Sequence, residues 1–233
     1  MVGLLAELAV SWLLLRFLYR ENLEPLGFRI TKSRLIEFLF GLLAAVISCA
    51  IYFLLVTGLT NTELSVNSEY SFGTFLNSVW WTLKSVLFEE LLFRGAVLYI
   101  LIRKIGALKA CIVSAIAFGI YHWFSYGIFG NVIPMIYILI LTGIAGLMFA
   151  IAYAETKSMY MPIGLHLGWN LVTIIIFSEG PLGNQILISA NGAELEGLWS
   201  LVMFLFQIFF LPAIIFWYFK RSNYSPSVFR PDH

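Results

Sequence analysis

The chain has 233 residues, 61% of them hydrophobic and only 12% charged, with a mean hydropathy of +0.90. A soluble domain carries about a quarter charged residues, so composition excludes that class and points to a polytopic membrane protein. A net charge of +1 argues for no nucleic-acid partner, and the length suits one bundle, so residues 1–233 are read as a single integral membrane domain.

A spanning helix needs about 20 mostly apolar residues. The first such stretch, 2–19, carries Glu7 within it, and Arg16 and Arg20 come late, the reverse of a cleavable signal. The second runs over 35–59. The third, 73–102, is long and is expected to tilt or break near Trp80. The fourth, 107–124, is short and runs into "WFSYGIFGNVIP", expected as a partly re-entrant loop and a source of an eighth half-span. The fifth, 132–154, spaces Thr142, Gly146 and Ala150 by four residues, a small-residue face for helix packing. The sixth and seventh cover 160–178 and 197–219. The fold class is therefore all-α, a bundle of about seven transmembrane helices. Cys49 and Cys111 sit in apolar runs and read as small buried hydrophobes rather than a disulfide or metal pair. The terminal "FRPDH" is no lipidation signal.

The loops carry an orientation signal. Arg20, Arg29, Lys32 and Arg34 occupy the first, Arg103, Lys104 and Lys109 the third, Lys157 the fifth, and Lys220, Arg221 and Arg230 the tail. The second holds Glu63 and Glu69, the sixth Glu179, Glu194 and Glu196, and neither holds a base. Cytoplasmic loops are enriched in Lys and Arg, so the N-terminus is expected outside and the C-terminus in the cytoplasm of a bacterial or archaeal cell.

Few polar residues remain at depth: Glu89, Glu90, Arg94, His122, His166 and Asn170, with Asn77, Lys84 and Gln207 read as packing or snorkelling residues. An ionisable group at the bilayer centre costs a few kcal/mol and marks function by default. At about 1.5 Å of rise per residue, Glu89 lies roughly 21 Å from the basic boundary, His122 and Asn170 about 20 Å, and Arg94 and His166 about 13 Å. Three helices thus bring polar groups towards one layer. Glu90 and Arg94 are i and i+4 with the acid first, which favours an ion pair. Glu89 is rotated by about 100° and needs another partner. His166 and Asn170 share one helix face. A carboxylate beside a histidine takes a proton from water, and a second histidine with an amide stabilises an oxyanion. Ser85 is a weak nucleophile candidate.

"EELLFR" (Glu89–Arg94), "FGIYH" (Phe118–His122) and "HLGWN" (His166–Asn170) have the forms E-E-x-x-x-R, F-x-x-x-H and H-x-x-x-N. In this order the chain resembles the CAAX protease and bacteriocin-processing (Abi) family, which includes type II CAAX prenyl endopeptidases. The resemblance spans about 75–178, the expected catalytic core. It implies a glutamate-type intramembrane endopeptidase. Glu89 would activate water with His122, His166 and Asn170 would hold the oxyanion, and Glu90 and Arg94 would shape the site, Glu90 also being open to a part in the chemistry. It implies peptide or lipidated-protein substrates, prenylated CAAX peptides, pheromones or bacteriocin leaders among them. No cofactor is expected; the alternative is a zinc held by Glu89, His122 and His166. Two competing functions are a non-catalytic immunity or scaffold protein and a transporter or proton relay.

Overall fold

The computed structural model describes residues 2–177, 181–189 and 194–221; the readings placed on Glu179, Arg230 and "FRPDH", and the last residue of the sixth stretch, lie outside them. Helix α1 (Val2–Tyr19) leads through a short 3-10 turn (Glu24–Leu26) to α2 (Lys32–Thr60). Helices α3 (Phe72–Arg94), α4 (Ala96–Ile105), α5 (Ala107–Ser125), α6 (Val132–Thr156) and α7 (Tyr160–Leu171) follow, with a π-helical turn (Val172–Ile176) prolonging α7. Helix α8 (Gly197–Arg221) is the last. The chain is an all-α helical bundle. Helices α1, α2, α5, α6 and α8 are long and apolar enough to cross a membrane by length and composition.

Local chemistry sets the ends. The Thr31 hydroxyl accepts from the Arg34 N–H to start α2, and Ser71 accepts from the Thr74 N–H to start α3. Such caps satisfy donors that the first turn of a helix leaves unpaired.

Two expectations are corrected. The third stretch does not break near Trp80: α3 runs straight through it, and the interruption falls at Gly95, directly after Arg94. A Cβ at Gly95 would collide with the Leu91 carbonyl, so the chain changes direction where only glycine fits. Trp80 lies half-exposed on the outer side of α3 and imposes nothing on the backbone. The run after the fourth stretch adds no further helix between α5 and α6. It is a turn over 126–131, with Gly127 and Gly130 at positive φ, and the Trp123 indole donates to the Met135 carbonyl across it (2.8 Å).

A small antiparallel ribbon was not legible in the sequence. Strands β1 (Leu64–Val66) and β2 (Leu187–Ser189) pair Leu64 with Ser189 and Val66 with Leu187. They join the loop after α2 to the segment before α8. At the opposite end, Tyr153 donates to the Pro25 carbonyl (2.9 Å), the Met159 N–H to the Leu26 carbonyl (3.2 Å), and Arg103 pairs with Glu21 (2.8 Å). The α1–α2, α4–α5 and α6–α7 connections therefore meet at one end of the bundle.

Helix α7 sits tightly on α2 along Gly41, Gly164 and Gly168. A Cβ at Gly164 or Gly168 would press on the Phe38 or Leu42 carbonyl. With lipid outside as apolar as the interior, close backbone approach through small residues is how membrane helices hold one another. The seam fixes α7 with His166 and Asn170 available to the bundle interior.

Candidate active site

Glu90 and Arg94 are fully buried. The Arg94 Nε donates to Glu90 Oε2 (2.6 Å), and its Nη2 donates to Oε1. The expected i,i+4 pair therefore forms. It does more than close on itself: His166 Nδ1 donates to the same Glu90 Oε1 (2.7 Å). Since the carboxylate only accepts, His166 carries its proton on Nδ1, and Nε2 is turned away from Glu90.

Nε2 of His166 lies 3.8 Å from Glu89 Oε2, and Nε2 of His122 lies at the same distance from that oxygen. His122 Nδ1 donates to the Phe118 carbonyl (2.8 Å), so its Nε2 also faces Glu89 as the free nitrogen. Glu89 Oε2 is buried with no hydrogen-bond partner among the described residues. Ser85 lines the same cavity and donates to Oε1 over a long 3.4 Å. Glu89, His122, His166 and Asn170 all line one cavity of 760 Å³. The structure thus gathers the sequence candidates: four line this cavity, and Glu90 with Arg94 stands behind them.

Aromatic rings complete the arrangement: Phe118, the first residue of the F-x-x-x-H motif, and Phe149, which sequence reasoning missed. The Arg94 guanidinium lies 4.3 Å over the Phe118 ring and 5.2 Å from Phe149. Phe149 stacks on His166 at 4.9 Å and 17°, and Phe118 meets His122 edge-on at 4.5 Å. Phe118 thus touches the site twice, through its ring and through its carbonyl. The signal lay in α6: Gly146, read as part of a packing face, leaves room for Phe118, whose Cδ1 would lie 2.8 Å from a Cβ there. Gln207, read as a packing or snorkelling residue, is among the residues that line the cavity. Asn77 is exposed, and Lys84 lies over the Trp80 ring. Cys49 and Cys111 are both free and buried.

Zinc would need Glu89, His122 and His166 as ligands. Bonds of about 2.0–2.1 Å in a tetrahedron set ligand atoms about 3.4 Å apart; Glu89 stands 3.8 Å from each imidazole. Among the described residues no group of three or more His, Cys, Asp or Glu is arranged to hold a metal ion. Each Glu89–imidazole edge is thus about 0.4 Å wider than that of such a tetrahedron.

Residues 71–172 match the family model described as type II CAAX prenyl endopeptidase Rce1-like. All three motifs fall inside that segment. Over that segment the chain is similar to a family of proteases, and its long apolar helices support an integral membrane protein. No curated protein and no solved structure matches the chain.

Proposed function

We propose that this protein is an intramembrane endopeptidase that hydrolyses a peptide bond with water activated by Glu89. One observation carries the reading: a carboxylate oxygen with no hydrogen-bond partner among the described residues faces two imidazole nitrogens, each 3.8 Å away, in a cavity wall. A water between Glu89 and His122 gives its proton to the Glu89 carboxylate, and its oxygen adds to the substrate carbonyl carbon. The Asn170 amide donates to the oxyanion. His166 joins it as a donor only when its Nε2 is also protonated, because Nδ1 already serves Glu90. The intermediate collapses, the C–N bond breaks, and the proton held by Glu89 passes to the leaving amine. Glu90 and Arg94 act as positioning residues that hold His166.

No metal takes part in this scheme. The substrate is a peptide or lipidated protein segment in the bilayer, accommodated against the rings of Tyr52, Phe53 and Trp81 along the cavity. The N-terminus faces outward and the C-terminus the cytoplasm. Glu89→Gln is the test. It keeps size and polarity at a position whose Oε2 has no partner to lose, so the purified protein keeps its melting temperature. Cleavage of a quenched-fluorescent peptide falls by about 10²–10⁴, the usual contribution of a general base. A Glu89→Gln protein cleaving at the parent rate refutes the mechanism. Retained biological effect with that variant favours the non-catalytic scaffold, and ion flux dependent on Glu89 the transporter.

A further inference from the structure

The two ends of the bundle differ sharply in charge. Stretch 16–34, the α4–α5 turn, Lys157 and the end of α8 hold every described Lys and Arg except Lys84 and Arg94. The first three of these regions meet through the Tyr153–Pro25, Met159–Leu26 and Arg103–Glu21 contacts. The end of α8 joins them where Tyr218 stacks on Phe40 of α2 (4.3 Å). The other end carries Glu63, Glu69, Glu194 and Glu196 and no base among the described residues.

The cavity follows this polarity. From Glu89 and the two histidines it runs past Trp81 of α3, Tyr126 beyond α5 and Tyr137 of α6 to Thr60, Thr62 and Leu64 beside the ribbon. Each of these residues lies nearer the base-free end of its segment than the catalytic group on the same or a neighbouring helix. None belongs to a basic loop. The basic end is closed instead by the buried cluster around Leu26, Leu98, Ala110 and Met159.

Lys and Arg mark the cytoplasmic side of a membrane protein. We infer that the catalytic cavity opens on the extracytoplasmic face and takes a neutral or basic peptide presented from that side, an exported peptide or the outer segment of a membrane protein. The acidic mouth disfavours acidic peptides through its field. A protein lipidated at its C-terminus in the cytoplasm would approach the closed end. The inference names the substrate class of the peptidase reading and rests on it for the word substrate; the opening itself stands on charge and geometry.

The test is sidedness of labelling in intact cells. The full chain, with Cys49→Ala and Cys111→Ala, receives Glu63→Cys at the mouth or Lys104→Cys at the basic end, both exposed positions. A membrane-impermeant maleimide is expected to label Glu63→Cys in intact cells and Lys104→Cys only after permeabilisation. If Glu63→Cys fails to accumulate, Asn131→Cys, exposed in the α5–α6 turn at the same end, replaces it. Labelling of Lys104→Cys in intact cells, or protection of the mouth position, overturns the inference. Labelling needs no catalysis, so failure of the peptidase reading is scored separately: proteoliposomes sorted by the same label are offered a basic quenched-fluorescent peptide from the mouth side. No cleavage there by correctly oriented protein defeats the peptidase reading and leaves the orientation standing.

Discussion

Arg94→Met removes one half of a fully buried ion pair. Breaking such a pair from one side typically costs about 3–5 kcal/mol, because the remaining charge is left uncompensated. Two features of the structure shift that figure in opposite directions. Glu90 keeps His166 Nδ1 at 2.7 Å, and its carboxyl can take up a proton, both of which soften the loss. Against that, the guanidinium 4.3 Å over Phe118 and 5.2 Å from Phe149 goes too, and a desolvated cation–π contact contributes about 2 kcal/mol. The net expectation stays at about 3–5 kcal/mol. At roughly 2–4 °C per kcal/mol for a chain of this size, the melting temperature falls by about 6–20 °C, read from tryptophan fluorescence in detergent. The double variant Glu90→Gln/Arg94→Met carries no stranded charge and is expected to recover part of the loss, as neighbours in one network do not add. Arg94→Met melting as the parent does, or the two losses summing in the double variant, would refute the claim that the pair stabilises this layer.

Asn170→Ala is expected to lower kcat by about 10²–10³, the effect of removing one oxyanion donor, with KM little changed in initial-rate assays. Gly168→Val forces a branched side chain against the Leu42 carbonyl and is expected to lower melting temperature and activity together, whereas Gly58→Ala, with nothing within 4 Å among the described residues, changes neither. Saturating chelator is expected to leave the cleavage rate unchanged; a loss restored by added zinc would turn Glu89, His122 and His166 into ligands.

The helices were legible where physics is one-dimensional. Apolar runs of sufficient length gave α1, α5, α6 and α8 to within two residues at either end and α2 to within three, because a bilayer demands that length. The candidate residues stood out for a related reason: Glu89, Glu90, Arg94 and the histidines are rare against an apolar background. What escaped depends on contacts between distant segments. The three-residue strands of the ribbon are too short to show a period. Phe149 is one of 21 phenylalanines and lies in none of the three motifs, so no local pattern says that its ring will lie on His166. That Gln207 lines the cavity was not legible because helix rise gives depth and not the neighbour a helix faces. Gly95 went unnoticed beside Trp80, since one glycine in an apolar run is ordinary until the Leu91 carbonyl is seen against it.

Spacing alone left open which of two adjacent glutamates acts as the base, and the geometry supplies an argument. Glu90 accepts from Arg94 on both oxygens and from His166 on one. Taking a proton there would replace an accepted hydrogen bond and strand the Arg94 charge in a dry site. One residue earlier, a rotation of about 100° carries Glu89 out of Arg94's reach and into the cavity wall. Its Oε2 has no hydrogen-bond partner among the described residues, so it gains or loses a proton without breaking a bond the fold depends on. A catalytic base must change charge in every cycle, and a structural carboxylate must not. On the proposed mechanism the pair of acids divides those tasks: Glu90 pairs with Arg94 and holds His166, and Glu89 faces the cavity with its Oε2 unpartnered among the described residues.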